Sequence, residues 1–417
     1  MLTLSPWSTE PIDFDALRGM RILHLVHGYP REHGDNSAIF VRRQIEALRA
    51  LGVHQTIVFP ELQSLRNLGV REILRCRPWP VRERTASGLD LYRTSVFNIP
   101  GWDYRLYMHY AGKLVAQLVA SGGSFDLIHA HNACWPGVAA HQLASAYGVP
   151  YIITEHDSRH LAGHYGKDEA PRFSDAYRAA RRIIAVSPAL ARALRRFPID
   201  PDRLLVIGNV VDEEFFTLSP HAPQGPFTAL YVGSLKPGKN VEMLVRAFAA
   251  AFADCRETQL LIAGSGEERR SLGRLIADLG IADRTRFLGQ LDPEGVRRAM
   301  GSSHVLVVPS QAETFSVVLI EALATGLPVI ATRCGGPEFV LQDGGGWLVP
   351  VDDIPALRDA LLAVSRKTEG RAERQARREI VIRRFSNRTF LSTIAAIYAE
   401  VVRQQADIPC TVGGARS

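Results

Sequence analysis

Two glutamates eight positions apart, Glu313 and Glu321, bracket the stretch ETFSVVLIE, and Lys239 closes the stretch YVGSLKPGK. Such carboxylates can accept hydrogen bonds from the hydroxyls of a polyol, and a lysine at a helix start can neutralise phosphate. The run PSQAETFSVVLIEALATGLPVI sets Glu313 in the loop after a β-strand and Glu321 inside the helix that follows. Eight helical residues rise about 12 Å, the length of a sugar–diphosphate–ribose chain. One carboxylate would then serve a sugar and the other a ribose. The amides of Thr314, Phe315 and Ser316, read as the first helical residues, would point at an anion between them. The flanking runs VLVVP and VVLIEA imply that Glu321 is partly buried, where a carboxylate needs hydroxyl or cationic partners. Taken singly, Glu313 would be a helix cap, Glu321 a solvated side chain and Lys239 a surface lysine after a Pro-Gly turn.

YVGSLKPGKN also fits G-x-x-x-x-G-K, with Gly233, Gly238 and Lys239 in place. A nucleotide-hydrolysing loop needs Ser or Thr next, for Mg²⁺, and an acidic residue ending a nearby apolar strand. Here Asn240 follows, and the strands ending at Gly264 and Pro309 carry no such Asp. The stretch therefore reads as a metal-free grip on diphosphate. Three other patterns fall short. His156, His160 and His164 lie at helical spacing, but the zinc-protease pattern needs Glu directly after the first, where Asp157 stands. The pairs Asp13/Asp15 and Asp200/Asp202 lie before the first strand and in a turn. Gly264-Ser-Gly266 lacks the third glycine of a dinucleotide fingerprint, Arg269 holding its place.

The elements that must position these groups alternate β-branched runs with amphipathic helices, the rhythm of parallel α/β architecture. Strands are predicted at 21–26, 55–59, 126–130, 150–154, 182–186 and 203–207, then at 227–232, 259–263, 285–288, 304–308 and 328–331. DEEFFTLSPHAPQGP, residues 212–226, is the predicted linker. The chain divides into an extension (1–19), a first Rossmann-like domain (20–215), a second (224–384), a helix returning to the first domain (385–404) and a disordered tail (406–417). Doubly wound sheets bind ligands at strand C-terminal ends, so a cleft between the domains is the expected site.

With 46% hydrophobic and 22% charged residues the composition is that of a globular protein, and no apolar run is long enough to span a membrane. The N-terminus does not read as a secretory signal. Five scattered cysteines without a C-x-x-C pair argue against a disulfide framework or zinc–thiolate site and fit a reducing compartment. Net charge is +6, and residues 66–84 hold six Arg against two Glu. This patch reads as a solvated face or as a contact for anionic membrane.

In ETFSVVLIEALATGLPVI the sequence resembles the Glu-x₇-Glu signature of family 4 retaining glycosyltransferases, which have the GT-B fold: two Rossmann-like domains facing a cleft. YVGSLKPGKNVEMLVRAF, LLIAGSGEERRSL, TRFLGQLDPEGV and RCGGPEFV resemble the second domain in order; FDLIHAHNACWPG, PYIITEHDS, RIIAVSPALARAL and LLVIGNVVDEEFF resemble the first. The resemblance implies that Lys239 binds the donor diphosphate, Glu321 the ribose, Glu313 the transferred sugar, and the amides of 314–316 sugar and phosphate. His131 matches an active-site histidine. Backbone near Gly264 and at Leu288, Gly289 and Gln290 would contact the base, and Tyr29 and His156 are further cleft candidates. The sequence departs from the family at Ser234, where many members carry an Arg assisting the lysine, and at 31–37, where many have a Gly-Gly pair.

The expected function is transfer of a sugar from a nucleotide donor, with retention and without a metal or other cofactor. The expected acceptor is a lipid-linked saccharide or growing bacterial surface polysaccharide at the inner face of the cytoplasmic membrane. Membrane contact rests on segment 66–84 and on the aromatic cluster Trp102, Tyr104, Tyr107 and Tyr110; no nucleic acid partner is expected. A small soluble acceptor, or a nucleotide-sugar-binding protein without catalysis, are the alternatives.

Overall fold

A computed structural model of the chain describes residues 17–30, 38–64, 76–99, 101–166 and 168–406. The acidic pair at 13–15, the departure at 31–37, the first part of the basic segment and the tail after 406 lie outside the described residues.

The first sheet holds β1 (Arg21–Leu25), β2 (His54–Ser64), β3 (Arg77–Arg84), β4 (Asp90–Asn98), β5 (Leu127–His131), β6 (Tyr151–Glu155), β7 (Arg182–Ala185) and β8 (Leu204–Val206). They lie in the order β3-β4-β2-β1-β5-β6-β7-β8, parallel except for the antiparallel β3–β4 pair. The second sheet holds β9 (Phe227–Val232), β10 (Thr258–Ala263), β11 (Thr285–Gly289), β12 (Val305–Val308), β13 (Val329–Thr332) and β14 (Gly346–Val349). Its order is β11-β10-β9-β12-β13-β14, all parallel. Continuous apolar runs such as VLVV are buried on both faces, as helix-covered parallel strands must be. In each sheet the winding reverses beside the opening strand, at β2-β1-β5 and β10-β9-β12. Those reversals open a crevice at the strands' C-terminal ends, and the site lies there.

Strands β3, β4 and β14 are additional to the expected set. RPWPVRER reads as a charged patch; its prolines are tolerated because β3 is an edge strand paired to β4 alone. Its arginines are engaged locally: Arg82 and Arg84 pair with Asp90. The aromatic cluster also divides. Tyr107 is core, donating to the Val26 carbonyl at 2.9 Å, while Tyr104 packs on Trp135 and only Trp102 of the four is largely exposed. The 3.6-residue period turns Tyr107 inward with Ala111 and Leu114.

The chain crosses between domains twice. The amide of Val211 donates to the Phe385 carbonyl at 2.9 Å, and Val211 bridges Ser386, so the crossings run side by side. The expected helix over 385–404 is the helix Asn387–Ala406, set off at Ser386 from the preceding helix Arg371–Phe385. The second packs Ile394, Ile397, Tyr398 and Val401, all fully buried, against Ile22, Leu127, Ile152 and Ile184 of the first sheet.

Candidate active site

Lys239 ends a single 3₁₀ turn, Pro237–Lys239, after β9. Asn240 takes a left-handed φ of 52° and its amide group donates to Asp352 at 2.7 Å. The loop is thus not wrapped as a hydrolase phosphate cradle; it presents the ammonium of Lys239, with Lys236 exposed at the same wall. Its path is set by close backbone packing: a Cβ on Gly264, at φ +142°, would lie 1.7 Å from the Gly233 carbonyl oxygen. Gly264-Ser-Gly266 therefore exists for strand-end contact rather than as part of a dinucleotide fingerprint.

Glu313 sits in the loop after β12, which is pinned to the loop after β13. The Gly336 amide donates to the Glu313 carbonyl at 2.7 Å, and a Cβ on Gly336 would meet the Phe315 backbone at 2.4 Å. The Lys239 ammonium donates to Glu313 Oε1 at 2.6 Å, and Ser310 Oγ donates to the same oxygen at 2.8 Å. The helix begins later than expected, at Val317, because Ser316 stands at φ 75° as its N-cap. Thr314, Phe315 and Ser316 are therefore loop residues leading into the helix. Glu321, buried on that helix, is bound by Arg43 from the first domain.

Lys239, Ser234, Gly264, Glu313, Thr314, Phe315, Ser316, Glu321 and His156 line one cleft of ≈770 Å³ between the sheets. Leu288 and Gly289 do not line it; Gln290 and Leu291 do, and the Gly289 carbonyl accepts from the Gly264 amide at 2.7 Å. Tyr29 does not line the cleft; it is buried in a first-domain core cluster against which the cleft residues Ala38 and Phe40 pack. His131 is 1% exposed and lines no described cavity; its ring stacks on His156 at 6.1 Å, with His156 in front. Burial holds His156 down at about 4, so it is neutral at pH 7, and neither ring nitrogen has a partner. Arg43, Phe40, Asn209 and Phe216 also line the cleft, and no local pattern marks them.

A second cavity of ≈580 Å³ opens beside the first, sharing Phe40 and His156. Its wall includes His27, Asn132, Trp135, Asp157, Arg159 and Glu169. The loop after β5 bends sharply there, with Asn132 at φ 78° and Trp135 at φ 64°. Arg159 is spoken for, donating to Asp157 at 2.8 Å and to Glu169 at 3.3 Å. Beneath lies Glu155, fully buried. Burial opposes its charge, but His160 at 3.3 Å and the amides of Ala133 and Asp157 outweigh that and hold the carboxyl down at about 2.

Of the three histidines at helical spacing, His156 faces the clefts, His160 pairs with Glu155 and His164 is exposed. A different trio, His24, His129 and His131, brings ring nitrogens within 4.8 Å of one another. Those nitrogens are largely committed: His24 to Gln55 at 3.0 Å, His129 to Tyr398 and Thr154 at 2.7 Å each, and His131 to His24 at 3.3 Å. Burial lowers the pKa of all three, so the trio is a neutral polar layer in the core.

Two Rossmann-like domains holding carboxylates, an ammonium and backbone amides around a shared cleft are the architecture of a GT-B glycosyltransferase. The family model "Glycosyltransferase Family 4" matches residues 37–215 and "Glycosyl transferases group 1" matches 212–379. D-inositol 3-phosphate glycosyltransferase of Saccharomonospora viridis is 31% identical over 327 residues, covering 70% of this chain and 74% of that protein. Phosphatidyl-myo-inositol mannosyltransferase of Mycobacterium leprae is 30% identical over 287 residues, covering 67% and 74%. Sucrose-phosphate synthase of Thermosynechococcus elongatus, 24% identical, superposes with a TM-score of 0.77 over 92% of this chain and 100% of that one. The chain belongs to glycosyltransferase family 4 and is a glycosyltransferase.

Proposed function

We propose that this glycosyltransferase moves a sugar from a nucleoside-diphosphate donor to a saccharide or lipid-linked saccharide hydroxyl, with retention at the anomeric carbon. The observation that carries the reading is the convergence of Lys239, Glu313, Glu321 and the backbone of 314–318 on one cleft. As the bond from sugar to diphosphate lengthens, negative charge grows on phosphate. Lys239 and the amides entering the helix Val317–Ala324 meet it as preorganised donors, which makes a metal unnecessary. Glu313 and Glu321 take hydroxyls of the sugar and ribose. Glu313, the carboxylate at the sugar end, is engaged with Lys239 and Ser310 rather than poised as a nucleophile. Retention then comes from attack on the face the diphosphate leaves, a phosphate oxygen taking the acceptor's proton. A sugar trapped covalently on a side chain would overturn that step.

The acceptor sits in the cavity sharing His156. Among its described lining residues Arg159 is the one Arg or Lys, and it is paired with two carboxylates, which suits a hydroxyl-rich acceptor. Trp79, Ile99 and Trp102 are exposed, and Asn98 and Asp103, next in sequence to Ile99 and Trp102, line the pocket. That placement supports peripheral contact with an anionic membrane at its cytoplasmic face and a lipid-linked acceptor. No described helix is long and apolar enough to cross a membrane. A small soluble acceptor is the second reading, supported by the relative named for inositol 3-phosphate. The test is a thermal-shift screen against UDP-, GDP- and ADP-sugars, then anomeric analysis of the product. Flotation with anionic vesicles decides the membrane contact.

A further inference from the structure

We infer that Arg43, carried by the first domain, is the second cation for the donor's diphosphate and is stored on Glu321 until the donor arrives. The inference rests on the donor reading of the cleft given above. Arg43 projects from the helix Ile39–Ala47 into the cleft, where its guanidinium donates to Glu321 Oε1 and lies 5.3 Å from the centre of the Phe216 ring. The two side chains are 13% and 10% exposed, so this ion pair between domains is nearly dry. A pair of this kind gains little net stability, because desolvating both charges offsets their attraction. Its position on the cleft wall is therefore better explained by ligand exchange than by fold stability.

The charges support that exchange. Among the described residues two carboxylates line the cleft, and each is held by one cation: Glu313 by Lys239 and Glu321 by Arg43. A nucleoside-diphosphate sugar brings two negative charges on its phosphates and hydroxyls on its sugar and ribose. The carboxylates pass to the hydroxyls, the two cations pass to the diphosphate, and no charge is left buried without a partner. Ser234, on the loop carrying Lys239, offers no charge, and the remaining cation on the wall, Lys236, is exposed. The diphosphate is thus clasped from both domains, and donor binding favours a closed cleft.

Calorimetry on the full chain tests this with UDP, GDP and ADP, each beside its nucleoside. Arg43→Gln is expected to weaken the diphosphate that wild type binds by about 10- to 100-fold, the worth of a charge-assisted contact, without weakening the nucleoside, whose ribose then meets a Glu321 already released. Arg43→Lys, which keeps the charge, retains most of the affinity, and adding Ser234→Arg to Arg43→Gln recovers part of it from the other wall. Equal binding of the diphosphate by wild type and Arg43→Gln overturns the inference and leaves the donor reading intact. Equal losses for diphosphate and nucleoside also overturn it, since Arg43 would then act through the shape of the cleft. If wild type binds none of the three diphosphates, the donor reading itself fails.

Discussion

The cleft proposed for the donor and the pocket proposed for the acceptor meet at Phe40 and His156, yet their walls are assembled differently. Donor groups of the second domain come from three short loops, at 233–239, 264–265 and 290–291, and from the segment 308–321. The wall proposed for the acceptor gathers His27, Leu62, Asn98, Asn132 and His156 from at or near the ends of strands far apart in sequence, and Glu169 from the start of a helix. A ligand part common to many donors, the diphosphate, can be held by a local motif. A part that differs between enzymes is met by residues the fold brings together over long range, where single replacements reshape the wall without disturbing Lys239.

If that division holds, Lys239→Ala should cut kcat/KM by about 10³-fold, the cost of losing a main stabiliser of developing charge. Steady-state kinetics should show the acceptor KM unmoved. Gly264→Ala should cost about 3 kcal/mol of stability in urea denaturation, because the new Cβ collides with a backbone carbonyl. Its counterpart on the acceptor side, Gly137→Ala, should cost about 1 kcal/mol, since the nearest atom, Ile153 Cδ1 at 3.1 Å, belongs to a side chain that can shift. Asp157→Asn should raise the KM of a neutral saccharide acceptor about tenfold through one lost charged hydrogen bond, with donor KM unchanged. An equal shift in both would break the comparison.

Stability also depends on pH. His156 titrates near 4 in the fold against an ordinary 6.5, so between those values the unfolded chain binds the extra proton. Stability therefore rises with pH across that window and is lost as pH falls from about 6.5 towards 4. His24, held down at about 3 by burial, adds in the same direction. Melting curves at pH 5 and 7 should separate, and His156→Asn should narrow the gap.

Much of the donor side was legible in sequence because parallel strands deliver their loops in order. Lys239, Glu313 and Glu321 were readable from type and spacing, and the cleft does bring them together. What was not legible depends on pairing across the fold. Arg43 meets Glu321 over 278 positions, and no local pattern connects them. The helix start was misplaced by the left-handed Ser316, a conformation that residue type does not announce. Strand β3 was hidden by its prolines and charges, which an edge strand accepts and a central one would not. His131 matched a motif, but only the pairing of β5 with β6 shows His156 standing in front of it.

The helix Asn387–Ala406 carries a consequence for how the chain is made. Its Ile394, Ile397, Tyr398 and Val401 complete a core whose other half is laid down in Ile22, Leu127, Ile152 and Ile184. During synthesis the first domain emerges first and must wait, with that apolar face uncovered, until nearly the whole second domain has been translated. Tyr398 then arrives as the partner of His129, closing the neutral histidine layer from outside. The second sheet draws all its strands from residues 227–349, so it can be completed while the first domain still lacks this helix. A chain cut before Asn387 should therefore lose the first domain rather than the last, with the donor loops intact and nothing stable for them to face.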